Sequence, residues 1–360
     1  MDRRKCAARA WVSATVVALC TLVAFERHAH AQPTTALTIG ADTEDDSSRL
    51  PWRGTSLGFS QSLNLNALSN SAQLSYNPTY SWLFVLAPRW YFGRSTFINI
   101  DQRLSIELTD SDSTLRAQRL LLSDTIFGVD TRLLEHKLSD DSSLEVTGGA
   151  HLIAPTSLSS QAATLTLGTR LRAGVGVTFP HVMKGWAIAA QGRYGHRFLR
   201  HNTVQTDAPF PCLSGAFNLQ NCEFLGTSTN VTDSVSSIFE TSLGLTDSIT
   251  VEMLVWLTWA RASDFPPITV SGSGFETVVQ DTSVTHWRNE RYLVLGVNWT
   301  ATDWLSLELS LIDYFPEKNL AGENRGIGNP LDIMLGLTTS IVFDRLYLAT
   351  LGRPTEPMKR

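Results

Sequence analysis

Leu305-Ser306-Leu307-Glu308-Leu309-Ser310-Leu311 is the stretch of this sequence that decides the fold, because leucine occupies every second position. Successive side chains of a β-strand point to opposite faces, so one face of this segment is hydrocarbon and the other is polar. Residues 293–299 alternate in the same way, and only a short link separates the two segments. Trp299 and Trp304 flank that link. The pattern predicts a hairpin of two amphipathic strands.

The same alternation recurs along the chain and predicts about twelve strands, with 10–14 compatible with the pattern. The predicted strands are residues 55–67, 79–92, 96–109, 116–132, 142–153, 162–179, 185–199, 235–245, 249–261, 287–300, 304–314 and 332–343. Their links alternate between short ones, such as 93–95 and 180–184, and longer or more polar ones, such as 200–234 and 262–286. Short turns at one end and long loops at the other are typical of an up-and-down antiparallel barrel.

The apolar face of such a barrel can point outward to lipid, or inward as in a soluble β-sandwich or lipocalin-like barrel. The predicted strands are longer than the usual ~5–6 residues. Their polar faces are rich in serine, threonine, glycine and asparagine, as a wet interior requires. These features favour an all-β fold in which residues 54–343 form an antiparallel transmembrane β-barrel. The expected aromatic belt consists of Trp82, Trp90, Trp186, Trp299 and Trp304.

The ends of the chain have a different character. Four basic side chains precede an apolar stretch at 10–25, and Ala29-His30-Ala31 supplies a small-x-small cleavage pattern. We therefore expect residues 1–31 to be a signal peptide cleaved near Ala31, with an uncleaved anchor helix as the alternative. Residues 32–53 are polar and acidic and predict a flexible N-terminal segment. Residues 344–360 are expected to form a C-terminal tail or a partial extra strand.

Charge argues against nucleic acid as a partner. Removing residues 1–31 takes five of the 29 basic and two of the 34 acidic side chains, which leaves 24 and 32 and a net charge of −8. A strongly acidic chain repels the phosphate backbone.

Two cysteines remain after the signal segment, Cys212 and Cys222, both within the long link at 200–234. In an exported chain such a pair predicts a disulfide. A Cys/His metal site is the alternative, but no histidine lies between them and two ligands are too few.

Charged residues on the polar faces are the candidate lumen contacts. Arg170 and Arg172 lie on one predicted strand, and Arg193 and Arg197 lie on its hairpin partner, so their side chains come within reach of each other. Carboxylates of opposite charge lie elsewhere on the polar faces, namely Asp101, Glu107, Glu145 and Glu308. One interpretation is a pore with a transverse field that filters polar solutes. The other is a salt-bridge network that fills a narrow barrel.

Motifs for chemistry are weak. His151 projects from a predicted strand near Glu145 and Asp124, so a carboxylate–histidine pair is conceivable, although a hydrogen-bonding role is the simpler interpretation. The sequence predicts no catalytic site, no metal site and no cofactor.

The layout as a whole resembles the outer-membrane β-barrel proteins of Gram-negative bacteria. The alternating row of Leu335, Leu337, Thr339, Ile341 and Phe343 is similar to the closing strand of such barrels. The resemblance implies an outer-membrane location, contact with outer-membrane lipid and insertion by the barrel-assembly machinery. It favours a narrow channel for passive passage of small polar or charged solutes. A closed structural or surface-binding (adhesion or assembly) barrel is the alternative, and an outer-membrane hydrolase comes third.

Overall fold

A computed structural model provides the architecture. It describes residues 50–65, 79–109, 120–138, 142–202, 230–263, 268–272, 275–279, 287–316 and 333–351. The predicted signal peptide, most of the N-terminal segment, Cys212 and Cys222 lie outside the described residues, so the cleavage site and the disulfide remain predictions.

The described chain consists almost entirely of antiparallel strands. In chain order they are β1 Ser56–Asn64, β2 Tyr80–Ala87, β3 Arg89–Phe92, β4 Thr96–Glu107, β5 Leu120–Leu122, β6 Thr125–Lys137, β7 Ser143–Ala154 and β8 Leu165–Phe179. They continue with β9 Trp186–Leu199, β10 Val231–Gly244, β11 Ile249–Ala262, β12 Ile268–Gly272, β13 Phe275–Val279, β14 Trp287–Thr302, β15 Leu305–Pro316 and β16 Ile333–Val342. Two short helices are α1, Leu158–Ala162, and α2, Phe343–Thr350.

The large sheet closes on itself into a barrel of twelve strands. β2 and β3 both pair with β4, so they form one barrel strand interrupted at Pro88. β5 and β6 also share β4 as a partner and form a second interrupted strand. Each sequential neighbour pairs antiparallel around the ring, and β1 joins β16 to close it. The prediction of a closed antiparallel barrel of about twelve strands is confirmed.

The apolar face of this barrel points outward. On β15, Leu309 and Leu311 are 52% and 39% exposed, whereas Ser310 between them is 5% exposed. The same alternation places leucine, valine and aromatic side chains on the outer surface of the other long strands. An apolar exterior around a polar interior is the reverse of a soluble barrel and is the arrangement that lipid requires.

The fourth barrel strand differs from its predicted bounds of 116–132. The structure continues this strand to Lys137, beyond the predicted end at 132. A β-bulge shifts the register between Arg132 and Leu134. An extra residue reverses the alternation of faces beyond it, so the simple period-two pattern ended the predicted strand too early.

Two elements lie in segments that we expected to be links or strand ends. The 262–286 link contains the hairpin of β12 and β13. Helix α1 occupies residues before β8, at the end of the long 155–164 connection. Its first turn is capped by Ser157, whose hydroxyl accepts a hydrogen bond from Ser160 N at 3.1 Å. Serine is a favoured N-cap because it satisfies a free amide of the first turn.

At the end of the barrel where the short turns lie, residues 50–55 pack beside the C-terminal helix α2. The Gly54 amide donates to Asp344 Oδ1 at 2.9 Å, and Trp52 and Tyr347 form an edge-to-face pair at 5.6 Å. Burial raises the pKa of the Asp344 carboxyl. Helix α2 covers Phe343–Thr350, so residues 344–350 do not form the partial extra strand that was one alternative for 344–360.

No helix among the described residues is both long and apolar enough to cross a membrane.

Candidate functional site: the barrel interior

The interior of the barrel, here called the lumen, receives the candidate contacts predicted from the alternation. Leu171 on β8 and Tyr194 and Phe198 on β9 are exposed on the outer surface. Alternation therefore directs the four predicted arginines of these strands inward: Arg170, Arg172, Arg193 and Arg197. The Cα atoms of Arg172 and Arg193 are direct cross-strand partners. Arg170 and Arg197 lie opposite Gly195 and Gly168 instead, so the register places one arginine of each strand directly across from the other.

Charges from β4 join these arginines in a mixed basic cluster, defined as Arg103, Arg170, Arg172, Arg193 and Asp101. Arg103 donates two hydrogen bonds to the Asp101 carboxylate, from Nε to Oδ1 at 3.0 Å and from Nη2 to Oδ2 at 2.7 Å. The Asp101 carboxylate also interacts electrostatically with Arg170 and Arg193. Guanidiniums outnumber carboxylates in the cluster, so this part of the wall is positive.

Asp130 on β6 is the most deeply buried charged side chain described, at 2% exposure. Its carboxylate lies 2.5 Å from Arg172 Nε and 3.0 Å from His151 Nε2. Asn99 Nδ2 donates to its other oxygen at 3.1 Å. Four neighbouring strands, β4, β6, β7 and β8, therefore meet at one carboxylate, which we call the Asp130 hub.

Two glycines make room for the hub. Gly128 lies between Asn99 and His151 in one cross-strand row, and Gly149 lies between Asp130 and Arg172 in the next. A Cβ at Gly128 would overlap Asn99 Oδ1, and one at Gly149 would overlap Asp130 Oδ1. Because these positions lack side chains, the hub side chains can lie over the two glycines against the wall of the barrel.

The other predicted carboxylates occupy separate places. Glu107 accepts a hydrogen bond from Thr109 at 2.8 Å near the long-loop end, and Glu145 accepts one from Arg132 Nε at 3.2 Å. Glu308 on β15 lies against Gly296, where a Cβ would be 3.2 Å from its Oε1. It interacts electrostatically with Glu252 on β11, so two carboxyl groups from β11 and β15 lie near each other across β14.

The grouping of His151 with Glu145 and Asp124 is wrong. Glu145 and His151 lie six residues apart on β7, a separation of ~20 Å at 3.3 Å per residue. Asp124 instead accepts a hydrogen bond from Ser157 N at 2.9 Å, beside the cap of α1. The partner of His151 is Asp130, which the sequence analysis did not single out.

An apolar patch inside the lumen is a second feature that the alternation of the sequence does not predict. Tyr292, Val294 and Ile312 are buried together, and the partly buried side chains packed against them are Leu254, Trp256 and Met334. All six occupy inward-facing positions on β11, β14, β15 and β16, because their strand neighbours Val251, Leu295, Leu311 and Leu335 are exposed outside. The lumen is therefore amphipathic, with a basic cluster on one wall and an apolar patch on another.

The predicted belt tryptophans lie near the strand ends. Trp90 and Trp299 are about half exposed on the outer surface. Trp186 stacks with Phe179 at 5.6 Å and donates to Thr241 Oγ1 at 2.8 Å. Trp304 lies in the short turn before β15, and only Trp82 lies toward the long-loop end.

Within the described ranges, no group of three or more histidine, cysteine, aspartate or glutamate side chains is placed to hold a metal ion.

No protein-family model matches the chain, and a search of curated proteins finds no match. Among solved structures, the chain is similar to an outer membrane channel from Pseudomonas putida F1, with 12% identity over 83% of this chain and 98% of that chain and a TM-score of 0.46. It is also similar to the NanC porin, with 9% identity over 80% and 98% and a TM-score of 0.38. Outer membrane phospholipase A from Escherichia coli is similar at 10% identity over 81% and 93%, with a TM-score of 0.31. At these identities and scores the likenesses carry no functional information.

The first prediction concerns the Asp130 hub. We expect Asp130→Ala to lower the free energy of unfolding by about 3 kcal/mol, because it leaves the Arg172 guanidinium without its carboxylate in a largely buried site. Urea titration of the barrel in lipid vesicles measures this loss. The double variant Asp130→Ala/Arg172→Ala should lose less than the sum of the two single variants. Additive losses would show that the two charges do not stabilise each other.

The second prediction concerns the glycines under the hub. Gly128→Ala should lower the free energy of unfolding by roughly 1–3 kcal/mol, because its methyl group must displace Asn99 or His151. Gly192→Ala is the matched control, since a Cβ there meets nothing within 4 Å. The same urea titration compares them, and an equal effect of the two variants would contradict the close packing of the hub.

Proposed function

We propose that this protein is an outer-membrane channel with a narrow lumen for passive passage of small polar or charged solutes. The observation that carries the proposal is the partial exposure of charged side chains that point into a closed barrel. Asp101, Arg103 and Arg172 keep 27%, 23% and 18% of their side-chain surface accessible. Water-sized space therefore lies beside the charges, as a hydrated path requires.

The size of the barrel agrees with a narrow path. Barrels of about eight strands are filled by their own side chains, whereas sixteen to eighteen strands leave a wide aqueous channel. Twelve strands lie between these limits. The flat packing of the Asp130 hub over Gly128 and Gly149 keeps bulky polar groups close to the wall.

The distribution of charge supports polar or charged solutes. The basic cluster belongs to β4, β8 and β9, whereas Glu252 and Glu308 belong to β11 and β15, which do not pair with those strands. Opposite charges on different walls create a transverse field that orients a polar solute and favours it over an apolar one.

An outer-membrane channel must also be exported and inserted into the membrane. Export uses the signal peptide at 1–31, and the barrel-assembly machinery inserts the chain among outer-membrane lipids. We also propose that a Cys212–Cys222 disulfide constrains the long 200–234 connection. Passage is passive, and the proposed role is not enzymatic.

The third prediction tests the channel directly. Refolded residues 32–360 in a planar bilayer should give discrete current steps that grow with salt concentration. In the triple variant Arg170→Gln/Arg193→Gln/Arg197→Gln, three positive charges leave the lumen while the Arg172–Asp130 pair stays. We expect the reversal potential in a salt gradient to shift toward cation selectivity, with the permeability ratio changing by about threefold or more.

Arg261 and Arg291 provide the matched control, because both lie at outward-facing positions of β11 and β14 and are exposed. Their replacement by glutamine should leave the reversal potential unchanged. A silent bilayer, together with heat-modifiable gel migration that shows a folded barrel, would favour the closed structural or surface-binding alternative. Conductance with an unchanged reversal potential in the triple variant would show that these arginines do not line the path.

A further inference from the structure

The middle of the lumen contains a group of hydrogen-bond donors, two of which have no acceptor among the described residues. Arg193 and Trp256 are each the eighth residue of a fourteen-residue strand, so they lie at similar depth. The Arg193 guanidinium lies 5.4 Å from the centre of the Trp256 ring. Gln191 Oε1 accepts a hydrogen bond from Arg193 Nε at 2.5 Å, which leaves the Gln191 amide nitrogen as a donor.

Two of these donors are buried and have no hydrogen-bond partner among the described residues: Gln191 Nε2 and Trp256 Nε1. A buried donor without a partner costs about 1–3 kcal/mol. Arg193 also has no carboxylate within ion-pair distance in the described part of the chain, whereas Arg103 and Arg172 are paired with Asp101 and Asp130. The Arg193 guanidinium and the two neutral N–H donors could therefore all be satisfied by the oxygen atoms of one bound anion.

The apolar patch adjoins these donors. The Trp256 and Tyr292 rings lie 5.8 Å apart at 41°, and Val294 and Ile312 are buried against Tyr292. A purely hydrophilic ion would gain nothing from this hydrocarbon. A solute with both an anionic group and an apolar body would satisfy the donors and cover the patch at once.

We infer that this mid-lumen site binds monocarboxylates with an aromatic or short aliphatic body. The carboxylate accepts from Arg193, Gln191 and Trp256, and the body packs against Tyr292, Val294 and Ile312. A single negative charge suffices, because Arg193 supplies one positive charge to the site. This inference deepens the proposed function and rests on it for the route by which the anion reaches the site.

The fourth prediction measures binding to the refolded mature chain in detergent, by isothermal titration at low ionic strength. Sodium benzoate should bind at least tenfold more tightly than sodium acetate, which lacks the ring, and than benzylammonium chloride, which has the opposite charge. Trp256→Ala should weaken benzoate binding at least tenfold and acetate binding by a smaller factor, because acetate loses only the Trp256 Nε1 donor whereas benzoate also loses the ring contact. Arg193→Gln should weaken both anions, and Arg193→Lys should restore part of the affinity.

Trp259→Ala is the matched control, because Trp259 lies on the same strand at an outward-facing position and should not affect benzoate. Equal affinities for benzoate and acetate, or equal losses in Trp256→Ala and Trp259→Ala, would overturn the inference. These outcomes are independent of conductance. An open channel with no benzoate preference would refute this site alone, whereas tight, Trp256-dependent benzoate binding in a silent barrel would support the site and refute the channel. Heat-modifiable migration confirms that each variant is folded.

Discussion

Closure of the hydrogen-bonded ring is the constraint on which the rest of this structure depends. A strand in lipid has no water to satisfy its backbone amides and carbonyls, so each edge must find another strand. Here β1 pairs with β16, and β2 pairs with β4, so the ring has no free edge. Once the ring closes, one face of every strand is committed to lipid and the other to an enclosed space. The apolar exterior and the charged interior both follow from that division.

The enclosed face must accommodate charges without filling the space. The Asp130 hub does so by pairing charges across four strands and laying the side chains over Gly128 and Gly149. Burial of a carboxylate is costly unless it is paired, and the hub brings two hydrogen-bond donors, Asn99 Nδ2 and His151 Nε2, and the Arg172 guanidinium to the Asp130 carboxylate. By contrast, the donors around Arg193 lack such an acceptor. The Asp130 carboxylate has a counter-charge and the Arg193 guanidinium has none among the described residues, and this difference distinguishes the structural from the ligand-binding part of the wall.

The strands themselves were predictable, because alternation such as that of Leu305–Leu311 is a local property of the chain. The inward direction of Arg170, Arg172, Arg193 and Arg197 followed from the same alternation. The Asp130 hub was not predictable, because its members come together only through the register of four strands, and the bulge after Arg132 disturbs the pattern of β6. The apolar patch was hidden for a different reason. Its members lie in continuous apolar runs such as Met253–Leu257, where inward and outward residues have the same chemical character.

The central claim is that the leucine face of the strands meets lipid and the polar face meets water. Spin labels at single cysteines from 306 to 311, in a chain with Cys212 and Cys222 replaced by serine, measure this in lipid vesicles. We predict high accessibility to oxygen at 307, 309 and 311, and high accessibility to a water-soluble nickel complex at 306, 308 and 310. The account would be contradicted if labels at the leucine positions were shielded from oxygen while labels at 306, 308 and 310 reached the nickel complex. That result would instead indicate a soluble barrel with an apolar core.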